Sequence, residues 1–364
     1  MSYRSNVPLL FHAADLHVGD SRNLPNYLDR QEKMLYRCTE CCEKNDIDVA
    51  VYSGDIFDAK YMLPREKDMF LKWLIENDRS AARHDYHVVF ENGNHDEIDA
   101  GYTHLRAHKI LADYGLLKRT DIVEHDPRLL GPFKGTIWVA AIPSAKYQGD
   151  EINFAVGALR KKLDAKLEAK QQSLPGVEPP PVYFVAMVHE AIAGVSTEGG
   201  YQLKRGPTLD PGLPVTYWAL GDIHMPFQRV LANAYYAGSP IQHDFGDLDS
   251  KRGVLIVDLT RPCEPNPFIF EGITPLITVS EVPKEWPEDA IVRFEGTAEE
   301  MVDVTFPDNV VGFKPVVSET IRAVVETGDD DMLDGLSEAL VDQQVPEDLQ
   351  PEVVEAIRSA IKAI

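Results

Sequence analysis

The sequence predicts an α/β protein, and three observations carry that reading. From Pro8 to about Asp258, apolar strand-like runs alternate with amphipathic stretches. Five of those runs lead straight into short polar motifs of Asp, Asn and His. With 364 residues, 44% of them apolar, the chain can build a sizeable core and two or three units.

The expected strands are Leu9–Ala13, Val49–Tyr52, Val88–Glu91, Ile137–Ile142, Val182–Val188, Tyr217–Leu220 and Val254–Val257. A helix is expected from about Leu28 to Lys44. A second covers Pro64 to Asn77, where Met69, Phe70, Trp73 and Leu74 fall at helical spacing. Glu151 to Gln172 reads as a charged helix ending at Pro175-Gly176, and Pro179-Pro180-Pro181 as a stiff connector. Past about Ile273 the character shifts, and Leu276–Val279, Ile291–Phe294 and Met301–Phe306 suggest short strands of a small accessory domain. From Asp331 onward, Leu333, Leu336 and Leu340, then Val353, Val354, Ile357 and Ile361, form apolar helical stripes. Such stripes pack on the protein's own core or dock on a partner.

Composition narrows the function classes. No apolar run approaches the roughly 20 residues needed to cross a bilayer. Met1 to Asn6 lacks the apolar stretch of a signal peptide, so no membrane association and a cytoplasmic location are expected (host cytoplasm for a viral protein). Cys38, Cys41 and Cys42 crowd one expected helix and Cys263 stands apart, which suits reduced thiols better than a disulfide framework. The net charge of −23 is concentrated toward the C-terminus. Residues 281–364 carry 6 basic and 21 acidic side chains, against 30 and 38 before them. The front of the chain can thus still present a basic face, although the overall balance lends no support to nucleic-acid binding.

The polar motifs carry the chemistry. Leu9-Leu10-Phe11 leads into Asp15-Leu16-His17, and Val49-Ala50-Val51-Tyr52 into Gly54-Asp55. Val88-Val89-Phe90 leads into Gly93-Asn94-His95-Asp96, Val182–Val188 into His189, and Tyr217–Leu220 into Gly221-Asp222-Ile223-His224. In an α/β sheet the loops after the carboxyl ends of strands gather along one edge, where ligands bind. Asp, His, Asn and no thiolate make a donor set suited to manganese, iron or magnesium rather than a closed zinc site. Glycines at 54, 93 and 221 permit close backbone approach beside those donors.

The ordered set Asp-x-His, Gly-Asp, Gly-Asn-His-Asp, His, Gly-x-x-His resembles the calcineurin-like metallophosphoesterase superfamily. Within it, Leu10-Phe11-His12-Ala13-Ala14-Asp15-Leu16-His17-Val18-Gly19 and Ser53-Gly54-Asp55-Ile56-Phe57-Asp58 are similar to the first two motifs of the SbcD-type nuclease. Tyr236-Ala237-Gly238-Ser239-Pro240-Ile241, followed by Phe245-Gly246, resembles that family's closing strand. The likeness covers roughly residues 8 to 258 well.

The resemblance implies a four-layer α/β/β/α sandwich with a small α+β cap domain and a helical C-terminal tail. Domain limits of 1–272, 273–328 and 329–364 are expected. It also implies two divalent ions, manganese or else magnesium. Asp15, His17, Asp55 and His224 would hold one; Asp55, Asn94, His189 and Asp222 the other, with Asp55 shared. His95 would protonate the leaving 3′ oxygen, and Asp96 would orient His95 or cap its loop. The family pattern has histidine where this chain has Asp222, which lowers the charge of the site and favours hard cations.

The implied activity is exonuclease on duplex DNA ends and endonuclease on single strands or hairpins, within a repair or recombination complex. The implied partners are DNA, an SMC-like ABC ATPase of the SbcC type and a second copy of the chain. Two other readings remain: a phosphodiesterase or phosphatase with the same metal site, and a weakly catalytic scaffold that recruits an ATPase to DNA. Arg22, Lys60, Arg65, Lys67, Lys204 and Arg205 lie near the motifs in sequence and are candidates for phosphate contacts. His12 is expected to hydrogen-bond in the core, while Asp58 and His243 receive no role.

Overall fold

A computed structural model describes residues 7–58, 62–99, 102–144, 150–173, 176–197, 199–247, 251–296 and 304–315. The expected C-terminal segment 329–364 lies outside the described residues, as does Lys60. The chain forms two compact units, one of residues 1–277 with 289–291 and one of 278–288 with 292–364.

The first unit begins with β1 (Leu9–Ala13), α1 (Tyr27–Lys44), β2 (Val49–Ser53), α2 (Pro64–His84) and β3 (His87–Glu91). Pro64 opens α2 at a position where its missing N–H leaves no bond unmade. Glu66 closes the helix start by accepting from the Leu63 amide at 2.7 Å. A short hairpin, β4 (Glu97–Asp99) and β5 (Tyr102–Thr103), leads to α3 (Arg106–Asp113) and β6 (Thr120–Val123). Then follow β7 (Arg128–Phe133), β8 (Ile137–Ile142), α4 (Asp150–Ser173), β9 (Tyr183–His189) and β10 (Tyr217–Gly221). The strands β11 (Arg229–Leu231), β12 (Ala234–Tyr236), β13 (Gly253–Asp258) and β14 (Asn266–Ile269) complete its sheets, before β15 (Leu276–Val279).

Two six-stranded sheets result, ordered β14-β13-β1-β2-β3-β6 and β11-β12-β10-β9-β8-β7. In the first, β1, β2, β3 and β6 run parallel and β13 and β14 add antiparallel strands. In the second, β8, β9, β10 and β12 run parallel, with β7 and β11 antiparallel at the edges. Alternation along the strands divides the core into three layers of contact. Leu10, Val49, Val51 and Val89 face Val139, Val185, Met187 and Tyr217 between the sheets. Phe11, Ala50, Tyr52 and Phe90 pack outward on Met34, Leu35, Phe70 and Trp73 of the first two helices. Trp138, Phe184 and Trp218 do the same with Ile152, Val156, Leu159 and Leu163 of α4. The architecture is therefore helix, sheet, sheet, helix. Each large apolar side chain so buried contributes about 1.5–3 kcal/mol relative to exposure.

The second unit contains β16 (Ile291–Gly296) from Val292 onward, paired in parallel with β17 (Val310–Pro315). Trp286, Phe294 and Phe306 cluster there, with ring centroids 5.6–6.2 Å apart. Of the strand expected over Met301–Phe306, residues 301–303 lie outside the described residues; Val304–Phe306 is irregular, and a strand comes later, at Val310. Phe306 instead supplies a ring to the aromatic cluster, so its β-favouring side chain serves packing and not pairing. Cys38, Cys41 and Cys42 are buried free thiols and Cys263 is an exposed one. Among the described residues, no helix is long and apolar enough to cross a membrane.

Candidate metal centre

β1, β2 and β3 of the first sheet and β9 and β10 of the second end beside one another, and their loops supply a single cluster. Asp15, His17, Asp55 and Asp222 adopt left-handed backbone, with φ of 55°, 43°, 49° and 92°. Such conformations are costly for residues with a Cβ and persist where the surroundings enforce them. Here they turn side chains inward within tight loops. The glycines leave the room. A Cβ on Gly93 would lie 2.1 Å from Asp55 Oδ1, and one on Gly54 2.3 Å from His189 Nδ1.

Each buried carboxylate commits one oxygen to an amide from another loop. Asp55 Oδ1 accepts from the His95 N–H at 2.9 Å, and Asp15 Oδ1 from the Asp222 N–H at 3.0 Å. Asp55 Oδ2 then lies 3.2 Å from His189 Nε2 and 3.6 Å from His17 Nε2. Asp15 Oδ2 is buried and has no hydrogen-bond partner. The first cluster is Asp15, His17 and His224, where His17 Nε2 and His224 Nε2 stand 3.0 Å apart. Around His189 Nε2 lie Asn94 Oδ1 at 3.0 Å and Asp222 Oδ1 at 3.7 Å, beside Asp55.

Neighbouring groups orient the imidazoles. The Nδ1–H of His189 donates to the Ser53 carbonyl at 2.8 Å, which turns Nε2 toward Asp55. His17 Nδ1 lies 3.2 Å from Asp58 Oδ1, and its Nε2 is aimed at His224. Burial pushes the Asp55 pKa up, but His189, His17 and His95 outweigh it and hold the carboxylate well below its usual range. Burial works against charge on His189 as well, and Asp55, Asp15 and Asp222 reverse it, raising that imidazole well above its ordinary value.

These observations test whether divalent ions fit. An orphaned buried carboxylate oxygen, two imidazole nitrogens facing each other and glycine-cleared space around Asp55 all suit cations bound between the loops. Oxygen and imidazole donors without thiolate suit manganese or magnesium.

His95 stands exposed at the rim. Its Nδ1 lies 3.6 Å from Asp58 Oδ1 and 3.3 Å from the Asp58 carbonyl. Contact with Asp58, stronger than the opposing effect of burial, lifts His95 to about 9. Asp58 thus touches both His17 and His95, a position that sequence reading left without a role. Asp96 does not reach His95. Its carboxylate accepts from the Ile56, Phe57 and Gly93 amides at 3.2, 2.8 and 2.9 Å, tying the β2 loop to the β3 loop. His243, also without a role from sequence, is buried against the rings of His17 and His224. Its Nε2 lies 3.2 Å from the Asp15 carbonyl, where the ring supports that loop. His12 is in the core as expected, between Tyr217 Oη at 3.0 Å and the Leu220 carbonyl at 3.2 Å.

The candidate phosphate-contacting cations separate. Arg22 is turned to Glu66, with two contacts of 2.7 Å to a carboxylate that also caps α2, so it is a structural ion pair and not a presented cation. Arg65 is exposed and lies over the Tyr27 ring at 5.3 Å. Lys67, Lys204 and Arg205 are exposed.

No protein-family model matches the chain. Proteins named as the SbcD component of the nuclease SbcCD do match it. That of Staphylococcus epidermidis is 24% identical over 325 residues, 84% of this chain and 78% of the relative. That of Staphylococcus saprophyticus is 24% identical, covering 84% and 77%. The Bacillus subtilis protein is 23% identical, covering 68% and 66%. Among solved structures, a dimetal phosphatase from Danio rerio overlaps 70% of this chain and 93% of its own, with 10% identity and a TM-score of 0.40. By sequence, the chain is thus similar over most of its length to proteins that bear the name of a nuclease component.

Proposed function

We propose that this chain is a metal-dependent phosphodiester hydrolase of the metallophosphoesterase kind whose substrate is DNA. The observation that carries the reading is Asp55, whose Oδ2 lies within 3.2 Å of His189 and 3.6 Å of His17 while its Oδ1 is fixed by an amide. Asp15, His17, Asp55 and His224 would hold one divalent ion. Asp55, Asn94, His189 and Asp222 would hold the second. Ions held there polarise phosphoryl oxygens and supply a nucleophile at neutral pH.

The chain's own residues do the rest. Asp58 positions His95, and the imidazolium it favours can deliver a proton to the leaving 3′ oxygen. Ser53 holds His189 so that it presents Nε2, and Asp58 lies beside His17 Nδ1 while His17 Nε2 faces the site. Asp96 and His243 hold the loops from behind.

The similarity to proteins named as a component of the nuclease SbcCD supports a nucleic-acid substrate and an SbcC-type partner; DNA as that nucleic acid, manganese as the working ion and ATPase activity of the partner are what the motif resemblance implies. Exonuclease action on duplex ends and endonuclease action on single strands or hairpins belong to the same reading, as does a cytoplasmic location. Ile110, Tyr114 and Leu116, in and just after α3, are 47%, 81% and 69% exposed, and such a patch supports homodimerisation. Cap and tail limits of 273–328 and 329–364 remain part of the proposal.

The test is manganese-dependent digestion of linear duplex DNA, with and without the ATPase partner. Wild type should release nucleotides, while His95→Ala and Asp55→Ala should not. Hydrolysis of small phosphodiesters with duplex left intact would favour the second reading, a small-substrate phosphodiesterase, for which the net charge of −23 speaks.

A further inference from the structure

One residue before His243, the chain lines a second cavity, of about 170 Å³. Arg30 of α1, Gln242, Lys251 and Arg252 contribute polar groups to it, and Ile241 and Phe270 contribute apolar wall. It has three cationic side chains and no acidic one, in a chain whose net charge is −23.

Arg30 carries the argument. It is 2% exposed, yet its guanidinium bonds only neutral carbonyls. Nε donates to Thr274 O at 2.9 Å and Nη2 to Gln242 O at 2.8 Å. No ion pair or hydrogen bond occupies Nη1 among the described residues. Burial pulls the Arg30 pKa down to about 10, with Asp247 and Asp20 offsetting this only in part. Neither carboxylate lines the cavity, and both are engaged with His243: Asp20 Oδ2 lies 3.5 Å from its Nδ1, and Asp247 Oδ2 accepts from its amide at 2.6 Å. A buried guanidinium that bonds only carbonyls is incompletely compensated, and a bound anion would relieve this.

Arg252 is nearly as buried, at 5% exposure. Its Nη1 donates to the His224 and Ser239 carbonyls at 3.2 and 3.3 Å, with Asp247 Oδ1 3.8 Å from Nη2. Lys251 beside it is exposed. Two guanidinium groups and an ammonium around a space of a few water volumes match a compact, multiply charged oxyanion better than a carboxylate.

We propose that this cavity is a phosphate-binding site, taking either a phosphodiester group of bound nucleic acid or free phosphate. Because Arg30 bonds the Gln242 carbonyl and the next side chain, His243, contacts the Asp15 carbonyl, the anion sits one link behind the candidate metal centre. The site does not depend on the proposed hydrolysis, and its test omits metal.

The full chain is melted in chelator with inorganic phosphate or a thymidine dinucleotide, against chloride at matched ionic strength. Phosphate-group binding should raise the wild-type melting temperature, increasingly as ligand concentration exceeds the dissociation constant. Lys251→Glu, a change at an exposed side chain, should weaken the response about tenfold, the effect of losing one charge-assisted contact. A response to phosphate but not to the dinucleotide assigns free phosphate; the reverse assigns the nucleic-acid backbone. Equal shifts in wild type and Lys251→Glu, or no shift with either probe, overturns the proposal. Crystals soaked in tungstate give a second readout. A tungsten peak among Arg30, Lys251 and Arg252 is expected, and its absence there at full soak also overturns it.

Discussion

Asp78 and Asp15 are both buried carboxylates in the same unit, and their surroundings are opposite. Asp78, on α2, accepts from the Lys118 and Arg119 amides and from Thr120 Oγ1 at 2.8–3.0 Å. Asp96 is likewise filled, by three amides. Asp15 accepts one amide and leaves its second oxygen bare, in a pocket where burial pushes its pKa up and like-charged Asp55 adds to the effect. A filled carboxylate is a structural bolt, whereas an unfilled one stores a demand for a cation. The molecule thus separates polar groups that fold it from polar groups that work.

That separation can be broken by mutation. The largest effect should come from Asp55→Ala, which is expected to lower phosphodiester hydrolysis about a thousandfold or more by removing the proposed shared ligand. Its melting temperature in chelator should fall too, because the change orphans the His95 amide and removes the counter-charge of His189 and His17. Turnover lost no further than the melting temperature explains would place Asp55 with the structural group.

Asp78→Ala should do the converse. Three orphaned donors would cost about 2–4 kcal/mol of stability in denaturant titration, with turnover unchanged below the melting point.

A third effect separates histidines by region. His108 is buried against Phe57 and Phe70, and burial lowers its pKa from 6.5 to about 4. The unfolded chain therefore binds the extra proton between those values. The associated stability is fully present above pH 6.5 and is lost as pH falls toward 4, by up to about 3 kcal/mol. His108→Gln should flatten the metal-free stability profile across that window, and an unchanged slope would contradict the assignment.

Asp58→Asn comes next. Its loss of charge beside His17 and His95 should reduce activity about 10–100-fold, as for other groups that orient ligands. A lowered optimum pH for turnover should accompany it, because His95 loses the carboxylate that favours its proton. The smallest effect is expected from Asp222→His, a shift of metal preference from magnesium and manganese toward softer ions. Equal preference in both proteins would show that the residue does not set it.

Much of this was legible in the sequence, and the reasons are physical. Strands buried on both faces read as continuous apolar runs, so β1, β2, β3, β8, β9, β10 and β13 declared themselves, and the polar residue after each ligand-bearing run marked a loop on one edge. Asp58 and His243 were illegible because their roles arise from loop return. Asp58 reaches His17 and His95 only through the path after Asp55, and His243 arrives from beyond β12. Arg22 looked like a free cation because its partner Glu66 is 44 residues away on another element. In the accessory unit the expected strand fails at Val304–Phe306, where aromatic packing and not strand pairing uses Phe306.

The measurement that most directly tests the central claim is anomalous diffraction from crystals of the full chain grown with manganese. Two peaks should appear, one among Asp15, His17, Asp55 and His224 and one among Asp55, Asn94, His189 and Asp222. Manganese bound elsewhere, or no peak beside Asp55 at saturating ion, would contradict the account.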